Sequence, residues 1–442
     1  MDFYFDSLYS WFFVAMALWI HTFFSVSQIS CTSGNSDFEF SNPNTDDTQD
    51  QNKKQDSAEP EEELTYYRDI RPLVDLKCIQ CHYEGGRSFD MNAHDVFVGM
   101  AEYIARDVRD GGKPPPISNN ECQSYIGDHR FVTEDDKILL ENFYQHGAVI
   151  GDVLDASDYI PPQGYENPEQ EFDILLSIDS TYPFPSNEGH KCTVFDIQND
   201  TAITLLSTEF FTNDIRKSWT STLFLAPADY ERQHGEHFDC QFSGEADWDV
   251  LASWSPAVPP IEYGDGIVLE PNTKIILKQY WFPEQGGFDD FVGYWGLQTT
   301  SDIPERPTEI VKFDILDFVL PAGQNNILIQ EDFDWNLGEK SIVGAYFRSS
   351  QLGMGGQLHI TSQQDQEQET ECLLDYYLYE PLVPQHIMYK NPPSISNQNH
   401  LSLSCSYDNS SGNKKQVFDP PQNLEQTYNG DMALCFVTLY IR

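Results

Sequence analysis

From residue 171 to residue 442, apolar and polar positions alternate over short runs. These include "TAITLLS", "TSTLFLAP", "GIVLEPNTKIILKQYWF", "NNILIQEDFDW", "SIVGAYFRS", "GGQLHITS", "HLSLSCSYDN" and "ALCFVTLYIR", separated by clusters of Asp, Asn, Gly and Pro. A period of two punctuated by turn residues is the pattern of half-buried strands. Long amphipathic helical patterns are missing. The stretch therefore predicts an antiparallel all-β region of sandwich or jelly-roll type, long enough for two units, with a seam at "IPERPTE" (303–309).

Upstream the spacing changes. In "TYYRDIRPLVDLK" the residues Ile70, Leu73, Val74 and Leu76 fall at mixed helical spacing and predict a short helix. Thr133 followed by Glu134, Asp135 and Asp136 predicts an N-cap with acids in the first turn. The stripe Ile138, Leu139, Phe143 continues that helix to a stop near Gly147. At the start, Trp11 to Val26 is an apolar run of signal-peptide length, too short for a stable membrane span. Its flank carries Asp2 and Asp6 and no Lys or Arg, a departure from the usual signal. Cys31 after Ser30 is a lipidation candidate that would anchor the chain to a membrane, although Gln28 stands where Leu is usual. Residues 31–63 are polar and acidic and predict a disordered tether.

Composition narrows the partners. The 442 residues hold 25 Lys+Arg against 71 Asp+Glu, a formal net charge of -46. Such a surface repels phosphate backbones, so nucleic acid is not an expected partner. Cys192 with Cys240 and Cys405 with Cys435 are placed to staple strands in an oxidising compartment. Cys122 and Cys372 are left over, and the sequence leaves open whether they pair.

The chemistry centres on Cys78-Ile79-Gln80-Cys81-His82, inside "LKCIQCHYEGG". A zinc site would want a second ligand pair, and the chain has no other CxxC. A thioredoxin-like pair wants a strand before it, where this sequence predicts a helix. In an exported chain the third reading is favoured: two thiols bonded to the vinyl groups of one c-type haem, with the His82 imidazole as iron ligand. Candidates for the opposite haem face are Met91, His94, Met100 and Lys113. Lys113 opens the rigid run "KPPPI", which could deliver a side chain to the haem.

The stretch "YRDIRPLVDLKCIQCHYEGG" with "RDGGKPPPISNNECQSYIGDHRFVTEDDKILLENFYQHGAVIGD" resembles the cytochrome c domain of certain exported bacterial proteins. In those proteins it precedes a copper type II, ascorbate-dependent monooxygenase module, similar to peptidylglycine α-hydroxylating and dopamine β-monooxygenases. "HKCTVFDI", "ECLLDYYLYEP", "LSCSYDNSS" and "ALCFVTLYI" carry the resemblance onward. It implies a small all-α cytochrome c domain (64–152) followed by two jelly rolls (165–305 and 310–442), after a signal peptide (1–30) and linker (31–63). It also implies a Met-Pro-Pro segment for the distal haem ligand, where this chain has Lys113-Pro114-Pro115.

The resemblance further implies five copper-binding histidines and a methionine. A His-His pair is matched here by Trp219 and Thr220, a third His by Gln279, and His-x-His by Arg348 and Ser350. Leu434 stands at the methionine position, with Met432 two residues earlier. Copper wants imidazole and thioether donors, so copper is not expected. His234 and His237, in "RQHGEHFDC", are the remaining close histidine pair and read as a solvated loop. The expectation is an exported mono-haem c-type cytochrome in the periplasm or on the cell surface, as an outer-membrane lipoprotein if Cys31 is lipidated. Its partner would be a redox protein or a small-molecule electron donor or acceptor. Two rivals stay open: an active oxidoreductase with a rearranged metal site, and a non-catalytic surface protein with structural haem.

Overall fold

The helices stay short, and Thr65 and Thr133 cap two of their starts. The computed structural model describes residues 63–442 apart from 80, 85–88, 111–116, 157–170, 179–188, 216, 241–246, 257, 282–290, 365–366, 382, 384 and 426–433. The export signal, Cys31, nearly all of the linker, Lys113 and Met432 lie outside the described residues. A π-helical turn at Tyr66–Ile70 starts under Thr65, whose Oγ1 accepts from Arg68 N, and leads into α1 (Arg71–Lys77) with Pro72 in its first turn. Next come α2 (His94–Gly99) and α3 (Ala101–Arg109). Thr133 caps α4 (Glu134–Gln145) through a capping box. Its Oγ1 accepts from Asp136 N at 3.2 Å, and Asp136 Oδ2 accepts from Thr133 N at 2.7 Å. Gly147, at φ 92°, ends that helix as sequence spacing predicts.

The alternating runs become strands. The first nine are β1 (Ile174–Ile178), β2 (Gly189–Asp196), β3 (Ile203–Thr212), β4 (Ser218–Leu225), β5 (His237–Asp239), β6 (Asp249–Trp254), β7 (Ile261–Leu269), β8 (Lys274–Trp281) and β9 (Gly293–Thr300). They form two antiparallel sheets, ordered β1-β9-β3-β7 and β5-β2-β8-β4-β6. Leu205, Leu223, Leu277, Trp281, Trp295 and Leu297 fill the space between the sheets. Trp295 Nε1 donates across that space to Ser221 Oγ at 2.7 Å, so the indole is buried without losing its hydrogen bond.

The second β region holds β10 (Glu309–Asp314), β11 (Val319–Leu320), β12 (Ile327–Asp334), β13 (Lys340–Ser349), β14 (Gly353–Gln364), β15 (Glu367–Tyr376), β16 (Gln385–Met388), β17 (Ser394–Ile395), β18 (Asn399–Tyr407), β19 (Leu424–Glu425) and β20 (Cys435–Ile441). One sheet runs β10-β20-β13-β16, with β17 also on β13, and the other runs β12-β18-β14-β15. Their shared core includes Phe347, Leu358, Leu373, Leu403, Val437 and Leu439. Disulfides join Cys192 to Cys240 beside β2 and β5, and Cys405 of β18 to Cys435 of β20.

The expectation of a separate small all-α cytochrome domain ahead of two jelly rolls is overturned. Among the described residues strand dominates, the sheets number five including the two-stranded β11-β19 pair, and the longest helix is the 12-residue α4. Residues 117–131 are built into the second β region instead. Tyr125 pairs with Tyr389 as a β-bridge and sits in the same core as Phe347. Ile126 N donates to Met388 O at 2.8 Å, and Asn119 N to Asp375 O at 2.8 Å. Lys390 Nζ meets Asp128 at 2.7 Å, and Cys122 is disulfide-bonded to Cys372 on β15. Helical spacing reports only on local turns. The apolar residues Ile117, Tyr125 and Ile126, lying between helices, pack against the β cores rather than the helical cluster.

One close approach tests the second core. A Cβ on Gly356 of β14 would lie 2.0 Å from Cζ of Phe347, a fully buried ring stacked on Tyr376 at 5.4 Å. Gly356→Ala is expected to destabilise the protein by about 3 kcal/mol, the upper range for overpacking. Phe347→Leu in that background should recover part of it, as read by denaturant unfolding. Additive losses in the double variant would sink the account.

Candidate haem-attachment site

Helix α1 buries Leu73 and Val74 and ends at Lys77, which presents the next turn to the rest of the segment. Cys78 N and Ile79 N both donate back to Val74 O, at 2.9 and 3.1 Å. Cys81 N and His82 N both donate to Cys78 O at 3.1 Å. A single turn therefore carries both thiols and the imidazole. Lys77 Nζ holds this end of α1 to the start of α4, donating to Phe131 O at 2.7 Å and pairing with Asp136.

The His82 ring is oriented by its backbone surroundings. Its Nδ1 lies 3.1 Å from Phe89 O. A carbonyl oxygen only accepts, so this contact places the proton on Nδ1 and leaves Nε2 as the basic nitrogen. That tautomer is the one required of an imidazole that binds metal through Nε2, and the carbonyl serves as the outer partner fixing its orientation. Phe89 also packs against the ring, centroids 5.0 Å apart.

Cys78 and Cys81 stand outside the three disulfides. Burial pushes the Cys78 thiol up to about 12, with the Cys81 thiol adding in the same direction. A reactive dithiol needs the opposite shift, toward thiolate at neutral pH. Among the described residues no three His, Cys, Asp or Glu side chains converge as a metal-binding group. The turn thus offers two thiols and an imidazole whose free-base nitrogen is Nε2, the donor types that a covalently attached haem would use.

The sixth-position candidates are spread through the segment. Met91 is buried, its N donates to His82 O at 3.0 Å, and its O accepts from Tyr66 OH at 2.9 Å. Its backbone thus runs beside that of His82. His94 Nδ1 lies 2.9 Å from Tyr67 OH, and Met100 is half-buried between α2 and α3.

The positions matched to copper ligands lie on or beside β4, β8, β13 and β20. Thr220, Gln279, Arg348, Ser350 and Leu434 are all buried. Gln279 Nε2 donates to Ser218 Oγ, Arg348 Nη1 lies 3.4 Å from Tyr346 OH, and Ser350 N donates to Leu434 O at 3.1 Å. Trp219 lies on β4. His234 and His237 take separate partners: His234 Nδ1 accepts from Asp196 N at 3.0 Å, and His237 Nδ1 lies 2.9 Å from Thr193 Oγ1.

Sequence reasoning gave no role to two histidines in the β regions, the half-buried His190 and the buried His386. His190 on β2 packs on Tyr280 at 4.7 Å, and burial, with Lys278 and Arg348 nearby, holds its imidazole well below the usual range. His386 on β16 lies where the outer face of its sheet meets the first β region. Alternation in "QHIMY" assigns His386 and Met388 to one face, but nothing local signals that another sheet covers that face.

No protein-family model matches the chain, and no curated protein matches it. Among solved structures, PNGF-II is similar at 7% identity with a TM-score of 0.27, covering 60% of this chain and 65% of its own. The VP2 subviral particle of infectious bursal disease virus is similar at 11% identity with a TM-score of 0.17, covering 63% and 79%. Likenesses at this level carry no argument about function.

Proposed function

We infer that the turn Cys78–His82 carries one covalently attached c-type haem, and that the chain is a one-electron carrier whose β regions form a binding or docking body. The observation that carries this reading is the contact of His82 Nδ1 with Phe89 O, which sets the metal-binding tautomer on the turn that also holds both thiols. When bound, haem supplies reversible one-electron chemistry at its iron. Cys78 and Cys81 anchor it, His82 orients to it, and Lys77 with Asp136 braces the turn. No imidazole stands at the positions matched to copper ligands, which favours a docking role for the β body over oxygen chemistry there. Three disulfides agree with an oxidising compartment such as the periplasm or cell surface. The electron partner would be a redox protein or a small molecule.

Acid-acetone extraction tests the reading directly, because thioether bonds survive it and axial coordination does not. The chain, produced in a host that assembles c-type cytochromes, should keep its haem through extraction. Haem that partitions freely into the solvent, or a chain isolated without haem, would overturn the inference.

A further inference from the structure

The outer face of the β10-β20-β13-β16 sheet is covered by the first β region. Tyr346, Met388, Phe436 and Tyr440 from this face share one buried cluster with Val250, Trp254 and Tyr263 of β6 and β7. Tyr440 bolts the contact, its OH donating to Val250 O at 2.7 Å. His386 sits beside the bolt, with its ring 4.8 Å from that of Tyr440 and nearly parallel, and 6.3 Å from that of Tyr346. Only 5% of His386 is exposed, and neither ring nitrogen has a hydrogen-bond partner.

The surrounding groups offer little to an imidazolium. On its own sheet, β13 contributes Tyr346 and the cationic Arg348, β20 contributes Tyr440, and β10 contributes Lys312, which pairs with Asp314 at 3.3 Å. From the first β region, β6 contributes Asp249 and β7 contributes Tyr263, while Glu262 and Asp265 of β7 are exposed. Burial pushes Asp249 toward its neutral form and pushes the His386 imidazole down to about 3, with burial the sole cause for His386.

We propose that His386 is an acid-sensitive latch on the contact between the two β regions, released when its ring takes a proton that the closed contact cannot accommodate. Above about pH 6.5 the imidazole is neutral in both closed and open forms, so closure is insensitive to pH. Below that value only the open form binds the proton readily. The ratio of open to closed then rises about tenfold per pH unit, until the closed form also protonates. His190 is held neutral in the same sense, so a variant must isolate the His386 share.

The test reads opening through a buried thiol. Thr438, fully buried on the same face in register with Tyr346, is replaced in a Thr438→Cys background of the full chain. Labelling by a pyridyl disulfide is followed by mass spectrometry from about pH 7 to about pH 5 and normalised to a free cysteine peptide. Leu403→Cys, in the core of the second β region, reports global unfolding. Labelling of Thr438→Cys should accelerate on acidification while Leu403→Cys does not follow. His386→Phe, with His386→Leu as the second variant, should remove about a tenfold factor per pH unit from the slope. A flat wild-type profile, an unchanged slope in either variant, or Leu403→Cys rising in step would overturn the proposal.

Discussion

Cys78→Ala combined with Cys81→Ala is expected to reduce acid-resistant haem from full occupancy to none. In the proposed attachment each thiol would add to one vinyl group, and His82 alone would hold the haem only through its imidazole, a bond that acid breaks by protonating the ring. The single variants should each keep the haem through the remaining thioether. Their pyridine haemochrome bands should fall between those of the wild type and free haem, because each vinyl group left unsaturated shifts the band. Neither thiol contributes to the β cores, so near-ultraviolet signals from the buried Trp248, Trp281, Trp295 and Trp335 should persist in the double variant. Acid-resistant haem in the double variant would mean that attachment lies elsewhere.

A second large loss is expected from Cys122→Ala with Cys372→Ala. This disulfide closes a loop with a sequence separation of 250, the longest of the three. Loop-closure entropy sets its contribution at about 5 kcal/mol, an upper figure because the other two bridges already restrict the unfolded chain. Without it, residues 117–131 are held by the Tyr125–Tyr389 bridge, the Ile126 N to Met388 O bond and the Lys390–Asp128 pair. Denaturant unfolding at the two wavelengths dominated by haem and by tryptophan should show the helical segment melting first. A single unshifted transition would show that the bridge adds nothing to the docking.

The strands were legible because their signal is local. "SIVGAYFRS" and "HLSLSCSYDN" alternate in sequence and lie within β13 and β18 with neighbouring turns. The α4 cap was legible for the same reason, since Thr133 and Asp136 satisfy each other within one turn. The CxxCH spacing was equally plain, but its support was not: Phe89 O, seven residues on, meets His82 in a contact that spacing does not announce. The docking of residues 117–131 left no sequence signal, because the partners Asp375 and Met388 lie some two hundred and fifty residues away and are ordinary strand residues. The small all-α domain was misjudged there. His386 was passed over because alternation assigns a face without telling what covers it.

Strand β20 carries a consequence for synthesis. All seven of its residues, Cys435–Ile441, are buried, and it lies between β10 and β13. Its Tyr440 also reaches into the contact with the first β region. As the chain emerges from the ribosome, β1–β9 can close their own core while β10 and β13 still lack the strand that belongs between them. Their open edges must wait, exposed, until residues 435–441 arrive. Assembly of the second β region therefore waits for β20 to be synthesised, and until it inserts the facing edges of β10 and β13 stay open to wrong pairing.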